Sequence, residues 1–246
     1  MIAERTLAVA VDGLRLNNRA YVPESPAGKV VLLHGLPSVA PPDPEDDGYP
    51  GLARRFADAG WAAMWADLRG AKGSAGHFSI EGWARDVSAV ASAAGSLPGE
   101  RMAIVGSSAG GAASVAAIAR GAPADALVLL GAPATWTAFA ADAQEAARRI
   151  TEDAGLSLSA QALEDLDLWA REFDAVTPER LIGSIRVPVL IVHGTHDEVV
   201  PVDHAYRLGH RARNAELRVL EGAPHQLRRH SGVFELVVDW LNLTLR

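Results

Sequence analysis

The chain of 246 residues contains no cysteine. Disulfides and thiolate metal sites are therefore excluded, and the composition fits a cytoplasmic protein. It also lacks any apolar run of about eighteen residues, so no membrane-spanning helix is expected. The opening residues, Met1-Ile2-Ala3-Glu4-Arg5, have neither the basic stretch nor the apolar core of a secretory signal. Positive charge is scarce: 23 Lys and Arg stand against 30 Asp and Glu, a net charge of −7. No basic cluster is longer than Arg228-Arg229, so no nucleic-acid surface is expected. There is no Gly-x4-Gly-Lys-Ser/Thr, and no G-x-G-x-x-G opens a helix after a strand, which removes the usual nucleotide cradles. His193 and His196 lie close together, but no third ligand has suggestive spacing, so neither a metal nor any other cofactor is expected.

What is present is organised around Gly106-Ser107-Ser108-Ala109-Gly110-Gly111. An apolar run, Met102-Ala103-Ile104-Val105, leads into it and a small-residue helical run, 112–119, leads out. A strand that turns at once into a helix strains its turning residue and demands small neighbours. The register is that of the G-x-S-x-G elbow, with Ser108 as nucleophile and Ser107 as the competing serine. The following helix would aim free N–H groups and a partial positive charge at whatever Ser108 attacks.

At 49% hydrophobic residues the chain can bury a full core, and its length suits one α/β domain. Residues 6–11 and 14–22 are β-rich runs separated by Asp12-Gly13, a hairpin signal. Residues 29–33 form a short strand, continuously apolar after Lys29, of the kind buried in a parallel sheet, ending in His34-Gly35-Leu36-Pro37. His34 reads as a structural histidine. An acidic, Pro-rich loop follows (Pro41, Pro42, Asp43, Pro44, Glu45, Asp46, Asp47); it reads as solvated and would disfavour anionic substrates. Leu52, Phe56 and Ala59 predict a helix closed by Gly60, and Ser79 predicts the cap of a helix presenting Ile80, Trp83, Val87, Val90 and Ala94. Strands are predicted over 61–66, 101–105, 126–130, 187–192 and 217–220, with helices over 203–212 and 233–243.

Between residues 133 and 182 the alternation stops. This helical, acidic stretch carries Trp136, Phe139, Trp169 and Phe173 and is expected to fold over the sheet's C-terminal edge as a lid. The four aromatics are expected to form the lid's own core, some of them also lining a substrate pocket. The domain reading is a core of 1–132 and 183–246 with a lid of 133–182.

Alternating strands and helices imply a doubly wound, mostly parallel sheet whose ligands bind beyond the strands' carboxyl ends. Ser108, Asp197 and His225 each fall just past a different predicted strand, in the order Ser, Asp, His. A serine becomes a nucleophile when a base takes its proton; His225 is the candidate base and Asp197 the acid that orients it. Rival acids and bases are Asp203 and His193, His196, His204 and His230, which are less well placed. Two N–H donors are needed where an acyl oxygen turns anionic. Ala109 and Leu36 are the candidates, since Pro37 has no N–H.

These segments, with Asp67-Leu68-Arg69-Gly70, His193-Gly194-Thr195-His196-Asp197-Glu198-Val199-Val200-Pro201 and Gly222-Ala223-Pro224-His225, resemble the α/β-hydrolase superfamily over essentially the whole chain. Small bacterial carboxylesterases of the feruloyl and cinnamoyl esterase type, and single-domain peptidase-like hydrolases, are the most similar groups. The resemblance implies a mostly parallel twisted sheet of about eight strands flanked by helices, with a helical lid after the strand that follows the nucleophile helix. It implies a Ser108–His225–Asp197 triad, Leu36 and Ala109 amides as oxyanion hole, no cofactor, a small-molecule ester substrate, no membrane partner, and a monomer or homodimer. Amide or thioester cleavage, or ligand binding without catalysis, are the alternatives on the same scaffold.

Overall fold

The computed structural model describes residues 1–41 and 43–245, and only the backbone of Ala138. Pro42 of the acidic loop lies outside the described residues. The strands are β1 (Ile2–Arg5), β2 (Ala10–Val11), β3 (Leu14–Arg15), β4 (Asn18–Pro23), β5 (Lys29–Leu33), β6 (Ala62–Ala66), β7 (Met102–Ser107), β8 (Ala126–Leu130), β9 (Val189–Gly194) and β10 (Ala215–Leu220). The helices of the core are α1 (Gly48–Asp58), α2 (Ile80–Ala94) and α3 (Ser108–Ala119), then, after the insertion, α9 (Asp203–Arg211) and α10 (Val233–Leu245). The insertion holds α4 (Thr137–Ala141), α5 (Ala143–Arg148), a π-helical turn (Arg149–Asp153), α6 (Ala160–Glu164), α7 (Leu166–Ala175) and α8 (Pro178–Leu181).

Eight strands form one sheet in the order β1-β4-β6-β5-β7-β8-β9-β10. Only β4 runs against its neighbours; from β6 to β10 every pairing is parallel. The apolar run of β5 is explained by its place between β6 and β7, with both faces covered. Val31 and Leu33 enter the core beneath α2, α3 and the insertion, while Val30 and Leu32 enter the core beneath α1 and α10. β7 divides likewise, Ile104 to one face and Ala103 and Val105 to the other. Ser108 therefore follows a strand held between β5 and β8 near the middle of the sheet.

The N-terminal hairpin is smaller than the β-rich runs suggest. Asp12 and Gly13 both take positive φ, +52° and +78°, which makes the tight turn. The flanking β2 and β3 are two residues each and form a separate ribbon. The ladder breaks at Leu7, whose N–H donates to Asn18 Oδ1 (3.0 Å) and whose carbonyl accepts from Asn18 Nδ2 (2.9 Å). A side chain there replaces a strand partner, and the edge strand of the main sheet becomes β1 instead. Other sequence expectations hold closely: Ser79 Oγ accepts from Gly82 N–H at 2.8 Å, and Gly60 follows α1 with φ +89°.

Candidate active site

β7 passes into α3 with no intervening residue, and Ser108 carries the turn at φ +49°. A non-glycine residue in this region persists only where its surroundings over-determine it, at a cost of about 1–3 kcal/mol. Three glycines allow that crowding. A Cβ on Gly106 would lie 2.6 Å from Gly111 Cα, one on Gly110 would lie 2.1 Å from the His34 carbonyl oxygen, and one on Gly111 would lie 2.9 Å from Ala132 Cβ. The helix start can thus press against both neighbouring strand ends. Ser107 is occupied differently: its side chain hydrogen-bonds with buried Tyr49, whose phenol burial pushes up and this bond pulls down.

Ser108 Oγ lies 3.1 Å from His225 Nε2, and His225 Nδ1 lies 2.7 Å from Asp197 Oδ2. Because a carboxylate only accepts, Nδ1 carries the ring proton and Nε2 is free to accept from the serine hydroxyl. Asp197 is buried at the end of the turn after β9, and its Oδ1 accepts from the Val199 and Val200 amides at 3.0 and 2.7 Å. Burial by itself would raise its pKa. Hydrogen bonds from His193, His225 and the Val200 amide outweigh that and hold the carboxyl well below the ordinary carboxylate range.

The loops bearing Asp197 and His225 are fastened to each other. A Cβ on Gly194 would fall 2.0 Å from the Ala223 carbonyl, so the two backbones touch there. His196 N–H donates to that carbonyl (3.1 Å), and Gly222 N–H donates to Thr195 Oγ1 (2.9 Å). Gly131, at φ +59°, lies beneath the Asp197–His225 pair. A Cβ there would sit 3.3 Å from Asp197 Oδ2 and 3.4 Å from His225 Nδ1.

The β5 loop meets the elbow directly, since a Cβ on Gly35 would lie 2.7 Å from Ser108 Cβ. The next residue, Leu36, has a backbone N–H that meets no acceptor among the described residues. Ala109 is the second residue of α3, so its N–H is one of the amides a helix start leaves without an intrahelical partner. His34 is structural, as expected. Its buried Nε2 accepts from Leu68 N–H (2.9 Å) and its Nδ1 donates to the Gly35 carbonyl (2.6 Å), which burial favours by lowering its pKa.

Among the rival residues, Asp203 opens α9 one position after the capping residue Val202 and makes no hydrogen bond with His225. His204 Nδ1 accepts from Ala134 N–H (2.9 Å), and His230 Nδ1 meets the Ser231 carbonyl (2.9 Å). His193 is the residue whose place the sequence reading did not anticipate. Completely buried, it sends Nε2 to the Val200 carbonyl (2.7 Å) and lies 3.2 Å from Asp197 Oδ2. Its signal was the four-residue interval to Asp197 across the turn after β9.

The four insertion aromatics converge. Phe173 is fully buried, with ring centroids 5.4 Å from Trp136, 5.1 Å from Phe139 and 5.3 Å from Trp169. Trp136 and Trp169 are also buried, while Phe139 is half-buried. The cluster continues the core beneath α2 and α3. Backbone bonds tie the insertion to the site loops: Val39 N–H to the Asp153 carbonyl (3.1 Å) and Phe78 N–H to the Ser157 carbonyl (2.8 Å).

The acidic loop is largely solvated, as expected, with Pro41, Pro44, Glu45 and Asp47 exposed, but two of its acids are paired. Asp46 accepts from Arg228 Nη1 at 2.6 Å and Asp43 pairs with Arg229, just after His225. Arg228 holds the Asp46 carboxyl down at about 2 even though burial opposes it. Two of the loop's four acidic side chains are thus matched by arginines.

Residues 52–245 match the model of the prolyl oligopeptidase family. The chain belongs to that family. Solved structures share its fold over nearly the whole chain. Est1E from Butyrivibrio proteoclasticus, solved with ferulic acid bound, is 22% identical with a TM-score of 0.70, covering 97% of both chains. The monoacylglycerol lipase of Paleococcus ferrophilus is 23% identical with a TM-score of 0.68, covering 92% of this chain and 98% of its own. A meta-cleavage product hydrolase from Pseudomonas fluorescens is 21% identical with a TM-score of 0.68, covering 97% of this chain and 98% of its own. This member of the prolyl oligopeptidase family has the α/β-hydrolase fold and is a hydrolase by family. Among its described residues no helix is long and apolar enough to cross a membrane.

Proposed function

We propose that this hydrolase is a serine carboxylesterase acting on esters of small to medium acyl or aryl acids. The observation that carries the reading is the hydrogen-bonded line Ser108–His225–Asp197, 3.1 and 2.7 Å, built on a serine at φ +49°. Ser108 Oγ attacks the ester carbonyl while His225 Nε2 takes its proton, and Asp197 stabilises the imidazolium. The tetrahedral oxyanion sits on the backbone N–H of Leu36, which meets no acceptor among the described residues, and on that of Ala109 in the first turn of α3. His225 then protonates the departing alkoxide, leaving an acyl ester on Ser108. Water, losing a proton to His225, attacks that ester; the second tetrahedral intermediate collapses to the free acid and Ser108 recovers its proton. No cofactor takes part, and chelators should leave the rate unchanged.

Residues 133–182 act as the lid in this reading. Phe139, which keeps part of its surface, would face the acyl or aryl group, with Trp136, Trp169 and Phe173 backing it. Ferulic acid bound to Est1E and the lipase among the structural relatives favour an ester substrate. Labelling with a fluorophosphonate tests the nucleophile: Ser108 should be modified, and an unlabelled Ser108 in folded protein would contradict the reading.

The family assignment favours a second reading, in which the same triad cleaves an amide. Parallel rates on a p-nitrophenyl ester and the matching p-nitroanilide separate the two, because only the leaving group differs.

A further inference from the structure

A groove of about 1110 Å³ opens between the start of the insertion, α8 and α9. Ser108, Asp197 and His225 do not line it. Four arginines do, Arg180, Arg207, Arg211 and Arg213, against two acids, Asp174 and Glu179. The lining therefore has two more positive than negative side chains, in a protein whose net charge is −7. This concentration runs against the chain's overall balance.

The arginines converge for identifiable reasons. Arg207 and Arg211 stand one turn apart on α9 and share a face. Glu179, in α8, pairs with both, closely with Arg207 and at 3.6 Å with Arg211 Nε. One carboxylate thus serves two guanidinium groups. Arg213, just beyond α9, donates Nε–H to the Gly183 carbonyl at 2.7 Å, which fixes its stem, and its two Nη groups meet no carboxylate among the described residues. Arg180 also meets no carboxylate among the described residues. Like charges gathered without matching acids repel, and the arrangement is favourable when an anion completes it. Guanidinium forks suit phosphate oxygens in particular, binding them through paired N–H donors.

We infer that this groove binds a small phosphate ester or polyphosphate through Arg180, Arg213 and the Arg207–Arg211 pair. Its volume slightly exceeds the roughly 300–1,000 Å³ of small-molecule sites, so it has room for an organic group beside the phosphates. Trp136, placed behind the acyl or aryl group in the esterase reading, also lines this groove, but the anion proposal rests on the arginines and does not depend on that reading.

The test is calorimetric titration of inorganic pyrophosphate into the full chain at low salt, with sodium chloride of matched ionic strength as control. One pyrophosphate should bind per chain. Arg180→Gln with Arg213→Gln should weaken it by about tenfold or more for each guanidinium lost. Glu179→Gln, which releases Arg207 and Arg211, should tighten it. Circular dichroism and thermal midpoints establish that the variants are folded. No binding, or an affinity indifferent to both sets of substitutions, would overturn the proposal, and the opposite signs expected keep it decidable if one variant is unstable.

Discussion

His193 Nε2 lies 3.2 Å from Asp197 Oδ2, the same oxygen that His225 Nδ1 meets at 2.7 Å. The carboxylate thus stands between two imidazoles, one buried and one facing Ser108. Hydrogen bonds to a charged group are worth about 1.5–3 kcal/mol. His193→Leu should therefore lower kcat by about tenfold to a hundredfold with KM little changed, because it disturbs the orientation of Asp197 and not substrate contact. His193→Gln, which restores an N–H donor, should recover part of the loss. Steady-state kinetics on a p-nitrophenyl ester decide it, and an unchanged kcat in His193→Leu would remove His193 from the positioning of Asp197.

Gly35→Ala probes the approach of the β5 loop to Ser108, the proposed nucleophile. The added methyl would stand 2.7 Å from Ser108 Cβ and 3.3 Å from its Oγ. It must displace the serine or the Leu36 amide, and a misplacement of about 1 Å costs roughly a hundredfold in rate. The expected result is a folded protein with kcat reduced by about that factor, measured beside the thermal midpoint.

The Asp46–Arg228 pair predicts a pH dependence of stability. The Asp46 carboxyl is held at about 2 in the folded chain, below its ordinary value near 4. A depressed carboxylate stabilises the fold above the unfolded pKa, and the contribution fades as pH falls from about 4 through about 2. Asp46→Asn should accordingly lower the thermal midpoint at pH 6, and the gap to the wild type should close as the pH approaches 2. A gap of constant size across that range would contradict the ion-pair origin.

Phe173→Ala removes the ring at the centre of the aromatic cluster. Its complete burial and three close ring neighbours predict a loss of about 3–5 kcal/mol in urea unfolding. Phe139→Ala, at a half-buried position, should cost less stability and raise KM for aryl esters more. Equal effects of the two on KM would argue against Phe139 as the residue facing substrate.

Much of this architecture is legible before any coordinates. The apolar runs at 29–33, 102–105 and 126–130 appear as adjacent buried strands because a parallel strand covered on both faces needs no polar alternation. Ser108, Asp197 and His225 are found by register, Ser108 immediately after β7 and the other two in loops past β9 and β10, and the fold brings the three into hydrogen-bonding range. Less legible were features that depend on side chains meeting across the fold. Asn18 capping Leu7 shortened the hairpin, and arginines at 228 and 229 neutralised Asp46 and Asp43 from more than 180 positions away. His193 could be read as a rival base or metal ligand because a linear sequence does not record that the turn after β9 folds Asp197 back onto it.

The central claim is an acyl-enzyme on Ser108. Stopped-flow hydrolysis of p-nitrophenyl acetate under excess substrate, with Ser108→Ala as control, tests it most directly. The account predicts a burst of one p-nitrophenolate per chain followed by slower turnover, and no burst in Ser108→Ala. A burst of the same size in Ser108→Ala, or no turnover of this ester or longer ones by the folded wild type, would contradict it.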